Sequence, residues 1–288
     1  MIYQTVALAA SFIGSAIAGI WDLKTTEIPD QIPHIMIAIA LITYGIQSYV
    51  ESNYWIMLNS IIVGSSLFAF GFLMYYFGQW GGGDAKLLSA IGFLLPTAPD
   101  GFASSIFPFP LSFLFNLFLV GAVYMMVYAL VIALSNRKII DTFVSDVKSS
   151  TNVLLLGSIT IFIVFLLLNL FIAKTFYISA GMDLLIIDSI FPLAATIAIF
   201  LIWKFAKAVE ETGFKRKIPI TKLKIGDVPL ESKLWEGITE KEFRKIKKSG
   251  KKSIWIKEGV RFAPSFILAL IFTLLVGDGI LLFVKFIV

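Results

Sequence analysis

Gly81-Gly82-Gly83-Asp84-Ala85-Lys86-Leu87-Leu88 stands between two long apolar runs, Trp55 to Trp80 and Ala85 to Leu95, and its reading decides the fold. Each glycine costs about 1 kcal/mol against alanine in a helix interior, so a helix that arrives at Gly81 breaks there. The break delivers a carboxylate to the edge of hydrocarbon, where an ionisable group costs roughly 2.5–3.5 kcal/mol on insertion scales. That expense points to a use for the acid. A second acid in the same situation, Asp22, closes the first apolar run. Two such aspartates suggest proton-transfer chemistry at a membrane face.

Composition agrees with a membrane setting. Of the 288 residues 58% are hydrophobic and 15% charged, and the mean hydropathy is +0.89, far from the soluble average. There is no cysteine, which excludes disulfides, thiolate catalysis and cysteine metal sites. The single histidine, His34, cannot make a His-rich metal site and reads as a surface residue between the first two spans. No metal-ligand spacing occurs among the acids, and no cofactor is expected. Met1 to Thr5 carry no positive side chain and the run 2–21 is too long for the apolar core of a secretory signal. We read it as a retained span.

Stretches near the ~20 residues needed to cross a bilayer occur at 2–21, 33–50, 55–80, 111–135, 152–173, 186–206 and 263–284. Residues 85–96 cross only with help from the proline-interrupted segment 97–110, and counting them gives eight spans. Residues 204–261 hold 17 of the 24 Lys and Arg against 8 of the 19 Asp and Glu. The positive-inside rule puts that loop, and the loop 136–151, in the cytoplasm. Counting back through the spans leaves Asp22 and Asp84 on the cytoplasmic side and both chain ends outside. The two acids agree although neither entered the count.

The basic loop reads as folded. Thr239-Glu240-Lys241-Glu242 is a capping box, opening a helix that ends near Gly250. Segments 218–225 and 253–258 alternate polar and apolar as short strands do. The loop's charge serves first as a topological anchor attracted to anionic membrane lipids, at about 1 kcal/mol per cation. The sharper reading is a docking surface for substrate. No nucleic-acid module is recognisable.

Two carboxylates brought close cannot both ionise easily, so the pair shares a proton. The ionised member then takes a proton from an attacking water. The protonated member polarises a carbonyl and later protonates the leaving nitrogen. Non-helical backbone at membrane depth needs partners, and an extended peptide supplies them by strand addition. Gly81 and Gly83 then let that peptide approach closely, while Lys86 either meets an acidic substrate group or snorkels as an anchor.

Asp22-Leu23-Lys24-Thr25-Thr26-Glu27-Ile28-Pro29, together with Gly81-Gly82-Gly83-Asp84-Ala85-Lys86-Leu87-Leu88-Ser89-Ala90-Ile91-Gly92, resembles the GxGD aspartic peptidases that process type IV prepilins. The likeness covers residues 1–135, and Lys257–Ser265 is faintly similar to archaeal members. It implies cleavage of the short basic leader of prepilins or archaellins at the cytoplasmic membrane face, with Asp22 and Asp84 as the catalytic pair. Bacterial members carry a cysteine-tetrad zinc domain; its absence here resembles the archaeal, peptidase-only branch.

Each acid has a plainer reading. Asp22 is a polar residue ending a helix, Asp84 an N-terminal cap of a helix starting at Ala85. Asp278, about 22 Å along the last span at 1.5 Å per residue, reads as structural. Asn59, Asn116 and Asn169 read as bonds between helices, and Ser11, Ser15 and Gly19 as close helix contacts. The expectation is an all-α polytopic membrane protein of about eight helices with a small basic cytoplasmic α+β loop domain. Residues 1–135 form the catalytic core, 136–206 a loop and two additional spans, 207–261 the basic loop and 262–288 the last helix. The alternatives are a proton- or cation-coupled transporter and a presenilin-like protease, against which the missing Pro-Ala-Leu motif counts.

Overall fold

The computed structural model describes residues 2–103, 106–176, 181–232, 237–249, 252–279 and 281. The chain is predominantly helical: α1 (Ile2–Thr25), α2 (Gln31–Val50), α3 (Trp55–Tyr76), α4 (Gly82–Leu94), α5 (Phe109–Ser135), α6 (Arg137–Ser149), α7 (Thr151–Thr175) and α8 (Met182–Val209). A small α+β segment follows, with β1 (Lys215–Pro219), β2 (Val228–Pro229), α9 (Glu240–Lys248) and β3 (Ser253–Lys257), and then α10 (Pro264–Val276). Six helices among the described residues are long and apolar enough to cross a membrane: α1, α2, α3, α5, α7 and α8 with its continuation to Phe214. At 13 residues, α4 reaches only about 20 Å. The expected last span, 263–284, runs into residues outside the described set.

The chain divides into two compact units, residues 1–128 with 216–288, and residues 129–215. In the first, α4 lies deepest, with Leu87, Leu88, Ala90, Ile91 and Leu94 all buried. Small residues let α3 come close. A methyl on Gly71 would stand 2.8 Å from the Ala85 Cα, and one on Gly64 would strike the Phe93 ring. Polar side chains complete this packing: Ser60 donates to the Phe93 carbonyl at 2.6 Å, Ser89 to the Gly64 carbonyl at 3.0 Å and Tyr44 to the Leu94 carbonyl at 2.6 Å. Such bonds hold helices together where lipid is as apolar as the side chains. On α1, a methyl on Gly19 would stand 3.2 Å from the Pro264 Cα, the close approach expected of the Ser11, Ser15, Gly19 stripe. Asn116 of α5 donates to Thr273 Oγ1 at 3.0 Å and to the Gly277 carbonyl at 2.7 Å, tying α5 to α10. Asp278 is buried and accepts from the Ile106 and Phe107 N–H groups and from Ser112. Its role is structural, as expected.

In the second unit, α7 buries none of its residues and exposes a nearly continuous apolar surface, which suits lipid rather than water. Asn169 reaches Ser189 on α8 at 3.1 Å. Residues 136–151, expected as a plain loop, contain α6, started by Asn136, whose side chain accepts from the Lys138 N–H at 3.2 Å. Its one buried residue, Ile139, packs with Val209.

The basic segment contains the expected helix and a three-stranded sheet of order β1-β3-β2. β2 runs antiparallel to β3, Val228 opposite Lys257 and Pro229 opposite Ile256. β3 matches the expected strand at 253–258. The strand expected at 218–225 is corrected: β1 ends at Pro219 and a single turn of 3₁₀ helix occupies Ile220–Lys222. The Ile220 N–H still donates to the Lys252 carbonyl at 3.2 Å, after which the chain leaves the sheet in that turn. The helix opens on the Thr239–Glu242 capping box, with the Thr239 N–H donating to Glu242 Oε2 at 2.8 Å. Its expected end, Gly250, lies outside the described residues. Leu223, Ile238 and Ile256 form a separate small core beneath the helix residues Phe243 and Ile246.

Candidate active site

Stretches far apart in the chain meet around one cavity of about 680 Å³: the end of α1 with the turn after it, the glycine run before α4, Met125 of α5, residues 226–228 with Gly237, and the segment from β3 to Phe262. Both Asp22 and Asp84 line it. They come from different helices and lie close enough for the charge of Asp22 to act on Asp84.

Asp22 sits three residues before the end of α1 and is 4% exposed. Its Oδ2 accepts the Ala263 N–H at 2.9 Å. That donor stands just ahead of Pro264 in the first turn of α10, where backbone N–H groups lack helical partners and draw a carboxylate. Arg261, two residues earlier, also lines the cavity and acts on Asp22 through its charge.

Asp84 departs from its expected place by three residues. Its helix begins at Gly82 rather than Ala85, so Asp84 is its third residue and not its cap. From there Oδ2 reaches back to the Gly81 N–H at 3.1 Å, the reciprocal half of a capping box. Gly81 has extended backbone and turns the chain out of the preceding loop. Trp80, immediately before, is buried against Phe262 and Phe266 with ring centroids at 6.0 and 6.1 Å. The glycine run is thereby pinned to the segment that also binds Asp22.

Gly81 and Gly83 both line the cavity. A methyl on Gly81 would come within 3.3 Å of the Asp84 carboxylate; one on Gly83 would come within 2.9 Å of Ile28 Cβ. Gly83 therefore also serves packing against the turn after α1. Lys86 is not among the lining residues and pairs with Asp30 at 2.6 Å.

The turn after α1 is strained. Thr26 has φ of 61°, a left-handed conformation costing a β-branched residue of the order of 1–3 kcal/mol. It is held by its N–H to the Asp22 carbonyl at 2.8 Å and by Thr25, which bonds both the Trp21 and Glu27 carbonyls. This bend brings Glu27 and Ile28 to the cavity lining. Lys257 faces the same space; burial pulls its ammonium below the ordinary lysine range, and it donates to the Ser232 carbonyl at 2.8 Å.

Sequence reasoning brought Asp22, Asp84 and the glycines to one place. It missed Arg261, Ala263, Trp80 and Thr26. The only signal for the first two was the faint archaeal likeness of Lys257–Ser265.

Residues 9–130 match the type IV leader peptidase family. The chain is 26% identical over 159 residues to the prepilin peptidase EppA of Methanothermobacter thermautotrophicus, covering 51% of this chain and 41% of that protein. It is 38% identical over 84 residues to a preflagellin peptidase of Methanocaldococcus jannaschii, covering 29% and 36%. With a preflagellin peptidase of Methanococcus voltae it shares 31% identity over 140 residues, 46% of this chain and 58% of the relative. The chain thus spans less than two thirds of each of these relatives.

Proposed function

We propose, taking as premise that residues 9–130 are of the type IV leader peptidase family, that this chain is a membrane aspartic endopeptidase. Its substrates are type IV pilin-like precursors, prepilins or archaellins, and it removes their N-terminal leader. Asp22 and Asp84 are the catalytic pair. What carries the reading is that these two carboxylates, from separate helices, open onto one cavity within reach of each other's charge. They share one proton. The ionised member accepts a proton as water adds to the scissile carbonyl, and the protonated member donates to the carbonyl oxygen. Collapse of the adduct breaks the C–N bond as the pair gives a proton to the leaving nitrogen and takes one back from a hydroxyl of the diol, which restores its single shared proton. Gly81 and Gly83 leave room for the substrate backbone, and Lys86, outside the cavity lining and paired with Asp30, exchanges that partner for an acidic group of the precursor.

The remaining assignments belong to the same proposal. The protein lies in the cell membrane, with α4 and the region of α10 raising the six long helices to about eight crossings. The active site faces the cytoplasm, as the surplus of cations in 204–261 argues. Residues 1–135 are the catalytic core, 136–206 carry two further spans, 207–261 are the basic loop and 262–288 the last helix.

The test is direct. The full chain in detergent, given a leader-bearing prepilin or archaellin, cuts once between leader and hydrophobic segment, with no ion gradient and undiminished by EDTA. Absence of cutting across such precursors, combined with cation flux in liposomes, would replace the peptidase by a transporter.

A further inference from the structure

Arg261 is held in a way that the fold alone does not explain. Two tyrosines one turn apart on α5 grip it. Tyr124 donates to the Arg261 carbonyl at 2.8 Å, and Arg261 Nη1 donates to the Tyr128 hydroxyl at 2.7 Å. The two rings stack with centroids 6.1 Å apart. Both the backbone and one arm of the guanidinium are therefore fixed.

The charge itself has no such partner. None of the ion pairs among the described residues includes Arg261. Its Nε is buried and meets no acceptor among them, an unfavourable state for a polar group. A half-buried cation outside any contact ion pair is expensive. Its use is electrostatic: Arg261 lines the cavity with Asp22 and Asp84, and its field falls on Asp22. In the same tripeptide, Ala263 gives Asp22 its backbone hydrogen bond. One short segment thus supplies Asp22 with both a dipole and a full charge. Lys24, the neighbouring cation, is exposed on the rim, where solvent and salt screen it.

We propose that, of the cations lining this site, Arg261 is the one that serves Asp22, a positioning residue that holds the Asp22 carboxylate in place by charge while the Tyr124–Tyr128 pair holds Arg261. The inference rests on the peptidase reading of the cavity. It assigns the guanidinium to the reaction and the tyrosines to aiming it.

Two measurements on the full chain in detergent test it. With a leader-bearing peptide, Arg261→Ala lowers kcat about 100-fold, the scale for losing one aimed electrostatic contact, with KM little changed. Added guanidinium ion restores part of the rate, and Arg261→Lys retains more activity than Arg261→Ala. Without any substrate, the Asp22 carboxylate band in the infrared, assigned by its loss in Asp22→Asn, moves in Arg261→Ala and moves back in guanidinium. An unmoved band, or a loss of activity that tracks unfolding and ignores guanidinium, overturns the proposal. A native chain that cuts nothing refutes the peptidase reading instead, and the infrared band still decides the place of Arg261.

Discussion

At the residue scale, the strongest expectations fall on the two aspartates. Asp22→Asn and Asp84→Asn are nearly isosteric and keep an acceptor for the Ala263 and Gly81 N–H groups. Each should abolish cleavage while leaving the thermal unfolding of the chain in detergent close to native. Retained cutting in either variant would remove that residue from the chemistry. Both acids were legible in sequence because a charge at the edge of hydrocarbon is costly and therefore conspicuous. Arg261 was not: it is one of 17 cations in a basic stretch, and no composition rule separates the one that turns inward. The strained Thr26 was equally hidden, since a threonine carries no local signal for left-handed backbone.

Between residues and the whole stand the elements, where the contact of α3 with α4 matters most to the site. It fixes the helix that presents Asp84. Gly71→Leu would drive a side chain into the Ala85 backbone, and overpacking of this kind costs about 1–3 kcal/mol. We expect a lower unfolding temperature and a parallel loss of activity. α9 makes a pH prediction. Hydrogen bonds from Thr239 hold the exposed Glu242 carboxyl below its ordinary range. A carboxyl depressed in the folded chain lends stability that is complete above its unfolded pKa and is lost as the pH falls through the folded one. Amide exchange in the first turn of α9 should therefore quicken in acid, and Glu242→Gln should flatten that dependence. The capping box itself was readable from four residues. The strand at 218–225 was misplaced because alternation alone cannot show the 3₁₀ turn that takes over at Ile220. The start of α4 at Gly82 was missed because glycine's propensity argued for a later start, whereas the Asp84–Gly81 bond and the packing of Trp80 override it.

Across the whole molecule, the first unit is closed by ties between its beginning and its end. Asn116 is buried, and its amide satisfies Thr273, the Gly277 carbonyl and the Gly279 N–H together. Asn116→Leu leaves that carbonyl and N–H without partners and should destabilise the chain by about 1–3 kcal/mol. Thermal unfolding should report the loss before activity does, because the change lies away from the aspartates. Such ties leave little trace in sequence, since the partners are more than 150 residues apart. The bond from Ala263 to Asp22 spans 241 residues, and it has a consequence for biosynthesis. A ribosome that has made the first helix, and even the glycine run, has not yet made the donor that seats Asp22. On the peptidase reading, chains truncated before Ala263 should be inserted but inert, which a cleavage assay on such truncated chains in the bilayer would check.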